Sequence, residues 1–544
     1  MKLTKDLIIT ITDSLRRYAI NDLRYHFTLS HMKNNVNVDN KDSLSINPLY
    51  DIIYIEKLNF HDWTIYGAVV RDDRAKTGLR YIVLEPTLTD KNIYYINIIK
   101  NALIKELLIE PSLLKDRYAY SKIKDNLRSS LQSIIKRYNL PIKRSFDKIC
   151  YYIVRDTLYL GKIEPLLHDH MIEEISCDGP NIPVYVWHRI YESLPTNIYF
   201  NAVELDNFVL RLASLSGKHI SLSLPILDAS LPDGSRINIT YGTEITKKGS
   251  TFTIRRFRSD PITIVDLIKF GTITSELAAY LWYCIEKGVT MLIAGGTASG
   301  KTTLLNAIVS LIPPNNKVVS IEDTAELNLL HENWIQSVSR QTFIGNTTNE
   351  ITLFDLLRAA LRQRPDIIIV GETRGREAYT LFQAMSTGHG GLSTIHADSI
   401  EGVINRLVSP PCDVPIQLIA SSLDMIILQL RLKNKDGKSI RRVIQVSELE
   451  GLGNNVIKYH NSFMYDPIID RQVRTGLHVV LRKISDRLGV DENHINEELH
   501  IRRYILEYLV NKNIRKINEI DKYITEFYND GMALYNRLRI SDTM

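Results

Sequence analysis

The chain has 544 residues, of which 44% are hydrophobic and 24% charged, and a formal net charge of +5. That length predicts about three or four domains and that composition a soluble globular protein, while so small a charge argues against a dedicated nucleic-acid binder. Its cysteines, Cys150, Cys177, Cys284 and Cys412, form no C-x-x-C pair, which argues against zinc and fits a reducing cytoplasm.

No apolar run approaches the ~18 residues of a membrane span. Residues 414–432 come closest, but Gln417, Asp424 and Gln429 interrupt them. The N-terminal run Leu7–Ile11 is broken by Asp13 with no small-residue cleavage site after it, so no signal peptide is expected.

In chain order, residues 1–30 read as an amphipathic helix and 33–47 as a polar linker, so 1–48 stand apart. A small α/β and helical domain is expected over 49–147, with strands at 52–55, 63–66 and 81–84 and a helix at 90–109. Residues 113–147 are rich in Lys and Arg at helical spacing and read as a solvated helical face rather than a contact surface. A second α/β domain, 148–260, contains a strand at 184–187 and a helix at 203–216 with Leu205, Phe208, Val209, Leu212 and Leu215 on its apolar face. It ends in a strand that carries Arg255, Arg256 and Arg258, and Ser259-Asp260-Pro261 reads as a linker. From 261 to 450 strands alternate with helices, which predicts a mostly parallel sheet covered on both faces. Its expected strands are 289–294, 317–321, 366–370, 391–395 and 424–430. The remainder, 451–544, reads as a C-terminal region that is almost purely helical from 465, with Ile517, Ile520, Ile524 and Phe527 on one face.

The chemistry centres on Gly295-Gly296-Thr297-Ala298-Ser299-Gly300-Lys301-Thr302-Thr303. This fits the phosphate-loop pattern G-x-x-x-x-G-K-[ST], and it has the required context, an apolar strand before and a helical pattern after. The glycines let backbone N–H groups converge on phosphate oxygens at a helix N-terminus. Lys301 suits the β- and γ-phosphates, and the Thr302 hydroxyl suits Mg²⁺.

Two apolar strands end in acids. The first, Val318 to Asp323, offers Glu322 to polarise an attacking water. The second, Asp366 to Glu372, offers Glu372 to hold Mg²⁺ through water or to orient that water. His389 and His396 bracket a Gly turn and a strand, where a histidine can report a phosphate; seven-residue spacing without a third ligand argues against a metal site. Cations against developing charge are sought among Arg236, Arg255, Arg256, Arg258 and Arg340.

Taken together, GGTASGKTT, SIEDTAEL, DIIIVGETRG and TGHGGLSTIHADS stand in the order found in ATPases of the type II/type IV secretion superfamily, and the chain resembles them. The stretches EEISCDGPNIPVYVWHR, LPILDASLPDGSRINITYG and STFTIRRF look like the archaeal type IV pilus and archaellum branch, over about residues 50–530. The resemblance implies an α/β fold: a RecA-like P-loop ATPase domain, preceded by α/β N-terminal domains and followed by helices. It implies ATP and Mg²⁺, a homohexamer, and a cytoplasmic position at the inner face of the membrane. A polytopic platform protein would be the partner and pilin-like subunits the indirect cargo. By the same resemblance Glu322 is the catalytic acid, Glu372 the second acid and His396 the γ-phosphate sensor, with His389 a second candidate. Arg236, Arg255 and Arg256 become the charge-neutralising arginines of the N-terminal domain. Ser230 stands where a basic residue is usual, and Thr373 where an aliphatic one is. A nucleic-acid-translocating ring is the rival; the basic, aromatic pore loop it would need is not seen.

Overall fold

Two separate β-sheets form, one in each half of the chain. The computed structural model describes residues 51–543 other than 61–62, 107–116, 143–144, 258–260, 341–349, 435–438 and 477. The helix expected over 1–30, the linker over 33–47, Arg258 and most of the 259–261 linker lie outside the described residues. The chain divides into two units, Met1–Phe257 and Arg258–Met544.

The first unit opens with β1 (Ile52–Phe60), β2 (Trp63–Arg71) and β3 (Leu79–Leu84). Helices α1 (Asp90–Glu106), α2 (Arg117–Arg137), α3 (Phe146–Thr157) and α4 (Glu164–Leu167) follow. Then come β4 (Ile172–Cys177), β5 (Pro183–His188), β6 (Glu192–Tyr199), α5 (Ala202–Leu215), β7 (Ile226–Ser230), β8 (Arg236–Thr240) and β9 (Thr251–Arg255). Nine strands form one sheet in the order β1-β2-β3-β6-β5-β4-β9-β8-β7, with β3 beside β6 as its single parallel pairing. Asn201 and Glu204 cap α5 reciprocally, and Leu205, Phe208, Val209 and Leu212 bury its apolar face.

The second unit begins with α6 (Ile264–Lys269), α7 (Ser275–Glu286), β10 (Met291–Ala294), α8 (Lys301–Val309), β11 (Val318–Glu322) and β12 (Trp334–Val338). It continues with α9 (Leu353–Ala360), β13 (Ile367–Val370), α10 (Glu377–Ser386), β14 (Gly390–Ile395), α11 (Ile400–Val408) and α12 (Ile416–Ser422). Strands β15 (Met425–Lys433), β16 (Ser439–Gly453), β17 (Val456–Asp466) and β18 (Arg471–Arg474) follow, then α13 (Val479–Leu488), α14 (Glu492–Asn511) and α15 (Ile517–Thr543).

Strands β12-β11-β13-β14-β10-β15 are parallel, and β16, β17 and β18 extend the sheet antiparallel. Alternation sorts the central strands into two cores. Met291, Ile293, Ile367, Ile369, Met425 and Ile427 face α7, α8 and the C-terminal helices. Leu292, Ala294, Ile368, Val370, Ile426 and Leu428 face α9, α10 and α11. Each such large aliphatic side chain contributes about 1.5–3 kcal/mol by leaving water. This is the RecA-like α/β arrangement expected of the segment.

The C-terminal region is not helical from 465. Helix begins at Val479, not 465, because β17 and β18 occupy 456–466 and 471–474. Asn454 and Asn455 both take positive φ, the two-residue turn that joins β16 to β17. The helices then pack on α7 through Arg502. It is 1% exposed, pairs with Glu286 and Glu498, and lies 4.5 Å from the centre of the Phe527 ring. No described helix is long and apolar enough to cross a membrane.

Candidate nucleotide site

Strand β10 delivers Gly295 at the carboxyl edge of the parallel strands, between β14 and β15. The chain must then turn sharply. Gly295 lies against the Gln429 carbonyl, where a Cβ would collide, and Gly300 takes φ +94° as the residue before α8. Both positions therefore need glycine. No side chain caps α8, and its first intrahelical amide bond runs from Leu304 to the Gly300 carbonyl. The amides before it face an exposed loop, with Thr297 and Ala298 exposed and Thr302 and Thr303 half-buried. An uncapped helix N-terminus of this kind suits a polyphosphate.

Lys301 is 7% exposed. Its Nζ donates to the Gly296 carbonyl at 3.0 Å and sits 3.3 Å from His396 Nδ1. Burial pushes its pKa down, Glu372 opposes that shift and Arg406 adds to it. His396 Nε2 is 3.3 Å from Glu372 Oε1. One neutral tautomer satisfies both contacts: Nε2–H donates to the carboxylate and Nδ1 accepts from the ammonium. Burial and then Lys301 hold the His396 pKa below its ordinary value, against the pull of Glu372. Lys301, Glu372 and His396 thus converge from the ends of β10, β13 and β14.

Glu322 ends β11 and is 2% exposed. Its Oε1 accepts from the amides of Glu326 and Leu327 at 2.8 and 2.9 Å, and its Oε2 from Gln336 Nε2 at 3.0 Å. Burial raises its pKa, and those three donors act the other way. Its neighbour Asp323 pairs with Arg374 and accepts from Ser339. The Thr373 hydroxyl lies 2.6 Å from that of Ser393, tying β13 to β14.

The two histidines separate. His389 precedes β14 and His396 follows it, so six strand residues, roughly 20 Å, lie between them. The Ala384 carbonyl lies 3.1 Å from His389 Nδ1, at the end of the sheet away from the loop. Arg340, after β12, is bridged through its backbone to Ile351.

Arg236, Arg255 and Arg256 belong to the first unit. Arg236 stands directly opposite Arg255 across β8 and β9. Arg255 Nε donates to Glu174 at 2.9 Å with its side chain 68% exposed. Arg256 donates to the carbonyls of Asp169 and Ile172.

One supporting residue escaped the sequence reading. Gln429, 1% exposed, donates through Nε2 to the Ser299 carbonyl at 2.8 Å. A register shift between Leu428 and Gln429 falls where β15 passes the loop. The available signal was a lone amide in an otherwise apolar buried strand, which needs a partner. Arg441 of β16 adds a contact from Nε to the Ala298 carbonyl at 3.1 Å.

The sequence model of the type II/IV secretion system protein family matches residues 161–517. The chain belongs to that family. Its relatives include protein MJ0900 of Methanocaldococcus jannaschii, 39% identical over 482 residues, 84% of this chain and 86% of that one. The conjugal transfer protein TrbB of Rhizobium radiobacter is 34% identical over 42% of this chain and 70% of its own length. Among solved structures, the VirB11 ATPase of the Brucella suis type IV secretion system is 26% identical, with a TM-score of 0.27 over 52% of this chain and 92% of that one.

The residues present fit Mg²⁺ with a nucleoside triphosphate. The loop offers open amides and one desolvated ammonium, and the Glu372 carboxylate is a third exposed. Among the described residues no cluster of three or more His, Cys, Asp or Glu could hold a metal.

Proposed function

We propose that this ATP-hydrolysing member of the secretion family powers assembly or secretion of pilin-like subunits through a polytopic membrane platform protein. It acts as a cytoplasmic homohexamer at the inner face of the membrane. The observation that carries the reading is Lys301, desolvated beside an uncapped helix N-terminus and held between the loop and the His396–Glu372 pair. The long match to an archaeal relative supports the archaeal branch.

In this reading the loop amides and Lys301 bind the β- and γ-phosphates. Thr302, and Glu372 through water, would hold Mg²⁺, which would neutralise phosphate charge. Glu322 polarises the attacking water, and its raised pKa suits a proton acceptor. His396 senses the γ-phosphate by exchanging its contact with Lys301 for one with the phosphate. Arg236, Arg255 and Arg256, on the first unit, serve as further cations against the charge that develops on the phosphates.

The test is ATP turnover by the purified full-length chain and by Lys301→Ala, with light scattering for assembly. Turnover should fall at least 100-fold in the variant, since the lysine bears directly on the transferred phosphoryl group. Unchanged turnover would remove the enzymatic reading. Stimulation by DNA would favour the nucleic-acid-translocating ring.

A further inference from the structure

We infer that a cavity of about 150 Å³ between α7, β17, β18 and α14 binds a small aliphatic amino acid. The cavity lies within the second unit, and its lining shares no residue with the nucleotide loop. Tyr280 of α7, Phe463 of β17 and Leu499 of α14 give it apolar surface. Glu276 of α7 and Arg474 of β18 line the same space with opposite charges.

Arg474 is held but not neutralised. Its Nε donates to His478 Nε2 at 2.6 Å, so the other ring nitrogen keeps the proton and turns it toward Glu448 Oε1 at 3.4 Å. Glu448 is 0% exposed and also accepts from the Val480 amide at 2.7 Å and from the Tyr280 hydroxyl. One buried carboxylate therefore steadies both Arg474 and Tyr280. Among the described residues no carboxylate forms an ion pair with Arg474, and its Nη groups donate to no protein atom. That leaves a fork of the shape that takes a carboxylate through two parallel hydrogen bonds.

Glu276 is the complement. It stands half-buried in the first turn of α7, and among the described residues it makes no hydrogen bond and no ion pair. The second arginine of the cavity, Arg503, is already taken: its Nε donates to Glu507 Oε1 at 2.8 Å, and Glu276 acts on it only through space. In so small a cavity a ligand meets both lone charges. A simple anion is repelled by Glu276 and a simple cation by Arg474. A zwitterion satisfies both, with its carboxylate on the Arg474 fork and its ammonium on Glu276. Its aliphatic body then lies against Tyr280, Phe463 and Leu499, where leaving water favours it.

The test titrates the full chain by calorimetry with L-leucine, with isocaproate, which is leucine without its amine, and with isoamylamine, which is leucine without its carboxylate. Leucine should bind. Each analogue should bind at least about tenfold more weakly, the loss expected when one hydrogen-bonded charge is removed. Arg474→Ala should weaken leucine to a similar degree and leave isoamylamine no weaker. Glu276→Gln should weaken leucine and leave isocaproate no weaker. Leucine that does not bind, or an analogue that binds as tightly as leucine, overturns the inference. So does a folded variant with unaltered leucine affinity. Should either variant fail to fold, the titrations of the native chain still decide between a zwitterion and a simple ion.

Discussion

Lys301 Nζ lies 3.3 Å from His396 Nδ1, and the same imidazole reaches Glu372 with its other nitrogen at 3.3 Å. The ring thus bridges the loop lysine and an acid from a neighbouring strand. Replacing His396 with Asn should lower turnover about 100-fold, the scale seen when one aligned polar partner of a reacting centre is removed. The pH profile follows from the sign of the shift. With its pKa held below 6.5, the imidazole is neutral at pH 7, and protonation would set two cations against each other. Activity should fall on the acid side, below pH 6.5, and His396→Asn should lose that limb. Initial rates from pH 5 to 8 check both points.

Glu322 carries a raised pKa, and burial is the main cause. An acid whose folded pKa is raised favours the protonated folded state. Its charge therefore costs stability above the unfolded value of 4.5, a cost that disappears as the pH falls through the folded value. Glu322→Gln removes the charge and keeps one oxygen to accept from the Glu326 and Leu327 amides, but its new NH2 meets the Gln336 Nε2 donor, so Gln336 must turn its oxygen toward it. Stability at pH 7 should stay within about 1–2 kcal/mol of native, since the removed charge offsets the hydrogen bond lost at Gln336, while turnover falls about 100-fold. Urea denaturation alongside steady-state rates separates the two effects; a large loss of stability would make Glu322 a loop anchor instead.

Gln429 holds the outer side of the loop through the Ser299 carbonyl. Gln429→Leu fills the space but leaves that carbonyl without its donor. The expected cost is about 1–3 kcal/mol, the penalty for an unsatisfied buried acceptor. ATP binding should weaken as well, because the loop loses its fixed backbone. Chemical denaturation and calorimetry on the same preparation measure both.

Arg442 and Asp470 join β16 to the β17–β18 turn. The hydrogen bond from Arg442 holds the Asp470 pKa down at about 2, against a smaller effect of burial. A lowered acid pKa contributes stability that is complete above the unfolded value of 3.8 and lost as the pH falls toward about 2. Asp470 is half exposed, so Asp470→Asn should cost only roughly 1 kcal/mol at pH 7 after solvent screening. The difference should vanish near pH 2, which denaturation midpoints across that range test.

The sequence alone carried the parts built from contiguous residues. Strand, glycine loop and helix follow one another from Met291 to Val309, so periodicity and the motif spacing located the nucleotide loop. Four-residue runs such as Ile367–Val370 are buried on both faces, and such a run reads as a core strand of a parallel sheet. The asparagine turn before β17 was also local, but β17 and the four-residue β18 are polar enough to pass as helix. Other features depended on which distant residues meet. Gln429 braces a loop 130 residues earlier, and His396 meets a lysine 95 residues before it. The two histidines look equivalent in TGHGGLSTIHADS, yet β14 carries them to opposite ends of the sheet. Residue types and local periods fix which elements form; pairing across the sheet sets which side chains share a site, because contacts between distant segments arise only when both cores close.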